Sequence, residues 1–156
     1  MITRRQFVLA SCSAAVLAAL PAWAHHGWSS FDQDKPMLLS GTVKSVRWQN
    51  PHAEFVLTVP QGLALPADLA GRKLPAQSQT VDGPGLLKRT AIPAQAAGDW
   101  EIELAPLSRM NAWNIEAVKP GDRVEVIGYA LEGKRVFRVE YLFVNGKVAG
   151  LRSSPQ

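Results

Sequence analysis

The sequence predicts an all-β protein, a small OB-like Greek-key barrel, and three observations carry that prediction. Short segments with period-two alternation recur along the chain: Leu38 to Trp48, Ala53 to Val59, Asp99 to Leu104, Arg123 to Tyr129 and Arg135 to Val144. Turn chemistry separates them at Asn50-Pro51-His52, Lys119-Pro120-Gly121-Asp122, Glu132-Gly133 and Asn145-Gly146. The one short helical stretch, Ser108 to Trp113, falls between the third and fourth segments, where an OB barrel carries its helix. An up-and-down barrel or a small sandwich is the competing plan.

Ahead of the barrel, residues 1–24 have the layout of an export signal. Arg4-Arg5 form a basic start, Phe7 to Leu20 is mostly apolar, Pro21 breaks the run, and Ala22-Trp23-Ala24 supplies small residues for cleavage. The apolar run is too short for a permanent span, so no stable transmembrane segment is expected after processing. Thr3-Arg4-Arg5-Gln6-Phe7 fits a twin-arginine signal, which exports folded proteins; a Sec signal with two arginines is the other reading. Leu9-Ala10-Ser11-Cys12 also fits a lipoprotein box, but the apolar run continues past Cys12 and favours an ordinary signal.

Cleavage after Ala24 leaves residues 25–156 without cysteine, hence without disulfides or thiolate sites, in an expected periplasmic location. The length suffices for one hydrophobic core. Fifteen basic and 13 acidic residues remain, in no block of one sign, which with export excludes nucleic acid as an expected partner.

Residues 25–37 form an irregular arm, with Trp28 and Phe31 as aromatic pins. The barrel domain spans 38–151. In its first strand Leu39, Gly41 and Val43 share a face, and Gly41 marks a bulge or sharp bend. In the second, Phe55, Leu57 and Val59 point one way and His52, Glu54, Val56 and Thr58 the other. Residues 60–98 differ in kind, with five prolines, five glycines and eight alanines; they form a long loop between strands 2 and 3, packed on the surface or mobile, with Gly83-Pro84-Gly85 as a turn. Further on, Trp100, Ile102 and Leu104 face inward and Glu101 and Glu103 outward, while Val139, Tyr141 and Phe143 share one face of the long strand. Lys147 to Leu151 pairs back after Asn145-Gly146, and residues 152–156 are a tail.

The sharpest functional signal is the placement of the three histidines. His25 and His26 open the mature chain and His52 closes the Asn-Pro-His turn. A free α-amine and two imidazoles all offer lone pairs near neutral pH. The amine, the linking amide and an imidazole make a tetragonal nitrogen set that favours copper(II) or nickel(II) over zinc, with copper heading the affinity order. His25, His26 and His52 are therefore the candidate metal ligands, copper the candidate cofactor, and Glu54 a carboxylate placed to orient His52. No serine lies in a context that marks an activated nucleophile, and Glu101 with Glu103 reads as a solvated face rather than an acid–base pair.

Four elements resemble a family of small exported bacterial proteins known mainly as a domain of unknown function. They are Ala24-His25-His26 with Phe31-Asp32, Gly41-Thr42-Val43 leading to Trp48-Gln49-Asn50-Pro51-His52, Trp100-Glu101-Ile102-Glu103, and Lys119-Pro120-Gly121-Asp122 before Val124 to Gly128. Relatives have a short loop where this chain has residues 60–98. The resemblance implies an exported β-barrel-like domain and no particular reaction.

The expected role is a periplasmic, non-enzymatic binding or accessory protein that takes copper through the processed amino-terminal histidines, its partner being a metal ion or a periplasmic protein. The alternative is an OB-like interaction module for a partner protein or small organic ligand, with no metal role. A copper oxidase or oxygenase ranks third.

Overall fold

A computed structural model of the protein describes residues 26–156; the expected export signal, residues 1–24, and His25 lie outside the described residues. The arm holds one 3-10 turn, Trp28–Ser30. Strand β1 is Met37–Arg47 and β2 is Glu54–Val59. Helix α1, Gly83–Arg89, precedes β3, Gly98–Glu103, and α2, Leu107–Ala112, follows it. Strands β4 (Arg123–Ala130), β5 (Val136–Val144) and β6 (Lys147–Gly150) complete the chain.

Strand β1 pairs antiparallel with both β2 and β4, β2 pairs with β3, and β4 with β5. A parallel pairing of β3 with β5, Ile102 opposite Phe137, closes the five strands into a barrel. That connectivity, with α2 between β3 and β4, is the OB-like Greek key the sequence predicts. The inward residues alternate as expected: Leu39, Val43, Phe55, Leu57, Trp100, Ile102, Val124, Val126 and Phe137 form one buried cluster. Asn145 and Gly146, both with positive φ, make the tight turn between β5 and β6.

Three local expectations change. The bulge of β1 falls between Val43 and Ser45 rather than at Gly41. Gly41 is needed for another reason, since a Cβ there would sit 2.2 Å from the Thr58 carbonyl oxygen. Val139, Tyr141 and Phe143 do not share a face. The β4–β5 register skips between Gly128–Val139 and Ile127–Tyr141, leaving Glu140 as the extra residue of a bulge. Val139 therefore enters the barrel interior while Tyr141 and Phe143 join an outer cluster. Gly83-Pro84-Gly85 is not a free turn but the first turn of α1, with the Asp82 carboxylate accepting from the Gly85 amide at 2.9 Å.

That helix shows what residues 60–97 do. Leu69, Leu86 and Leu87 are buried together with Phe31, Leu38, Ile127, Tyr129 and Tyr141 against the outside of β1, β4 and β5. The segment is a packed second layer over half of the barrel. It is tied at Ala91, whose carbonyl accepts from the Leu38 amide at 2.9 Å, and at Gln77, which bridges to Pro155. The outer face of β2 and β3 stays uncovered, with Thr58, Asp99 and Glu101 exposed.

Candidate functional site

His52 stands at the rim of that uncovered face. Its loop has a cis Asn50–Pro51 bond, and the Asn50 side-chain oxygen accepts from the Leu107 amide at 3.1 Å, which ties the loop to α2. Ala53 already makes ladder bonds with β3: its amide donates to Ala105 and its carbonyl accepts from Leu104, both at 2.9 Å. Ala53 is buried in the interior, so His52 and Glu54 on either side of it share the outer face.

From Glu54 a row of charge runs across four strands in direct register. Arg47 of β1 lies opposite Glu54, Glu54 opposite Glu103, and Glu103 opposite Arg138. Arg47 donates to the Glu54 carboxylate at 2.5 and 3.1 Å, and an Arg138 nitrogen lies 3.6 Å from Glu103. Of the two carboxylates expected on a solvated face, Glu101 is exposed but Glu103 is buried within the row: Glu54, Glu103 and Arg138 are 5%, 7% and 5% exposed. Burial pulls the Arg138 guanidinium below its usual pKa, against the pull of Glu103, and its Nε and Nη1 have no hydrogen-bond partner.

The arm docks at the end of this row. The Trp28 indole lies over two guanidinium groups, with the Arg152 carbon 3.7 Å and the Arg138 carbon 4.9 Å from a ring centroid. Arg152 is itself held by the fully buried Glu140, with nitrogen–oxygen distances of 2.5, 3.1 and 3.3 Å. Carboxylate, guanidinium, indole, guanidinium and carboxylate thus form one interlocked group. Each cation–π contact adds about 0.5 to 2 kcal/mol according to its desolvation. Tyr129 meets the Trp28 ring edge-on at 6.3 Å, and Phe31 is buried beside it in the outer cluster. Burial, then the nearby Glu140 charge, pushes the Tyr129 phenol up to about 12.

The three candidate ligands are placed unequally. His26 is half-buried, its ring edge-on to Phe31 at 6.3 Å. His52 is half-buried, two positions before Glu54 of the ionic row. His25 lies outside the described residues. Among the described residues, no three His, Cys, Asp or Glu side chains group closely enough to hold a metal. Four carboxylates, Glu54, Glu101, Glu103 and Asp99, belong to the β2–β3 face, and three of them are paired, with Arg47, Arg138 and Lys44. Asp99 is held low by Lys44 and then by Thr58, which donate at 2.5 and 2.7 Å. A cleft of about 160 Å³ opens on this face between Arg47, Glu54, Val56, Glu101 and Glu103. Among the described residues the other tryptophans serve packing: Trp100 and Trp113 give their indole N–H to the carbonyls of Ala96 and Ser153, and Trp48 packs on the interior cluster.

Arg138, Glu140 and Arg152 were not among the residues singled out from sequence. A signal existed, because Arg138 and Glu140 are opposite charges inside the otherwise apolar run Val136 to Val144. Their partner Trp28 lies 110 residues upstream of Arg138, too far for any local pattern to join them.

Fold and site together define a closed five-stranded β-barrel with an aromatic-pinned amino-terminal arm. Residues 14–65 match the model of the Family of unknown function (DUF6152), in agreement with the resemblance read from the motifs. The matched stretch takes in the arm, β1, the Asn-Pro-His loop and all three histidines. No curated protein and no solved structure gives a significant match to this chain. Among the described residues, no helix is long and apolar enough to cross a membrane.

Proposed function

We propose that this is an exported accessory protein that binds copper through the amino-terminal histidines released by cleavage after Ala24. His25 supplies amine and imidazole, His26 a second imidazole, and His52 a ring from the barrel. The observation that carries the reading is the docking of the arm. Trp28 holds it beside Arg138, and the outward row that starts there passes through Glu103 to Glu54, two positions from His52, before it ends at Arg47. The amine becomes available only after processing, so the site forms once the protein has been exported.

Intact mass and copper titration of protein purified from the periplasm test this. The expected result is a mass beginning at His25, one tightly bound copper(II) with a tetragonal, nitrogen-rich spectrum, and an affinity at least roughly tenfold weaker in His26→Ala or with one residue added before His25. Copper uptake that ignores both changes overturns the assignment and leaves the cleft between Arg47 and Glu103 as the place to seek a ligand.

A further inference from the structure

We infer that residues 151–156 form a strap that couples three parts of the molecule: the docked arm, helix α2 and segment 76–79 of the second layer. The strap needs no metal and stands apart from the copper reading. Residues 152–156, Arg-Ser-Ser-Pro-Gln, carry no periodicity and read as a tail. In the folded protein, however, each residue of 151–156 hydrogen-bonds to another part of the chain.

The attachments are of three kinds. On the side of α2, the Leu151 carbonyl accepts from the Arg109 guanidinium and the Ser153 carbonyl from the Trp113 indole, both at 2.9 Å. On the side of the second layer, the Ser153 amide donates to the buried Gln77 side-chain oxygen at 3.0 Å, and the Gln79 amide donates to the Ser153 hydroxyl at 2.7 Å. The Ser78 amide donates to the Ser154 carbonyl at 2.9 Å, and Gln77 pairs with Pro155 as an antiparallel bridge. Gly150 leaves room for this, since a Cβ there would lie 2.4 Å from the Gln77 Cδ. On the side of the arm, Arg152 lies over the Trp28 ring while its guanidinium donates to the buried Glu140. Apart from Leu151, the strap buries no apolar side chain in either cluster. Each of its polar bonds is worth less than the entropy of ordering a residue, so the bonds hold only together. Lifting the strap at 76–79 therefore loosens Arg152, and with it the arm.

Native-state hydrogen exchange by nuclear magnetic resonance tests the coupling, with one probe on each side. The probes are the Phe31 amide, which donates to the Trp28 carbonyl, the Ser78 amide and the Trp113 indole N–H. In the wild type all three should open with the same urea dependence, the mark of a single opening unit. Ser153→Ala removes the acceptor of the Gln79 amide and touches neither the arm nor α2. It is expected to quicken exchange roughly fivefold at all three probes, while the amides of β1 and β2 keep their rates. Deleting residues 153–156, which leaves Arg152 on Glu140, should quicken Phe31 and the Trp113 indole at least roughly tenfold. If the deleted chain fails to fold, Ser153→Ala decides alone, since it changes one half-buried side chain. Exchange that quickens at Ser78 while Phe31 and Trp113 keep their rates overturns the coupling. Equal quickening throughout β1 and β2 overturns it too, because the strap would then act on global stability rather than on a unit of its own.

Discussion

Glu140 has no exposed surface, and its charge is answered by Arg152 from beyond the last strand. Removing the cation leaves an uncompensated buried carboxylate, which costs far more than the pair contributes as a whole. Arg152→Ala should therefore destabilise the protein by about 3 to 5 kcal/mol, read from the urea midpoint at constant slope. A loss under about 1 kcal/mol, typical of an exposed pair, would contradict the buried geometry. The variant also strips one guanidinium from Trp28, so amide exchange in residues 26–31 should quicken. The acidic residues of β2 and β3 were legible from alternation, down to Glu54 sharing the face of His52. The burial of Glu54 and Glu103 was not, because it depends on Arg47 and Arg138 arriving from other parts of the chain.

At the scale of elements, the strands were readable because each repeats a two-residue period bounded by turn residues. The segment 60–98 resisted reading because α1 is only seven residues long and buries Leu86 and Leu87 without a sustained helical period. Its structure comes from the surface it covers: Leu38, Ile127, Tyr129 and Tyr141 present an apolar patch outside the barrel that Leu69, Leu86 and Leu87 close. Leu86→Ala should cost about 2 to 5 kcal/mol, the range for truncating a buried leucine, measured by urea unfolding. A change under about 0.5 kcal/mol would mean that the segment floats free of the barrel. The phase of β5 is a further case. Sequence alternation runs straight through Val139, Tyr141 and Phe143, and only the pairing with β4 inserts Glu140 as a bulge. Gly128 permits the close approach, since a Cβ there would lie 2.0 Å from the Arg138 carbonyl oxygen.

For the whole molecule, the two layers bury both tyrosines of the chain. Burial raises Tyr141, and burial followed by the Glu140 charge raises Tyr129 to about 12 from 10.0. A raised phenol pKa favours the neutral form in the folded state. Its contribution is fully present below pH 10 and is lost as pH rises from there through about 12, where the unfolded chain ionises first. An ultraviolet titration should show no phenolate at pH 10, then a steep rise coincident with loss of near-ultraviolet circular dichroism. A smooth transition centred at pH 10 in the folded protein would show both rings to be solvated. By itself the sequence determined the strand periods, the turns between them, the helix before β4 and the OB-like order, because those follow from local alternation and backbone preference. It also offered His25 and His26 as candidate ligands, being consecutive residues at the expected cleavage junction, with His52 in the Asn-Pro-His turn. The tertiary structure alone decided the second layer over β1, β4 and β5, the bulge at Glu140 and the contact of Trp28 with Arg138 and Arg152. Each of those joins groups far apart in the chain, and only closure of the barrel brings their charges and apolar faces within contact distance.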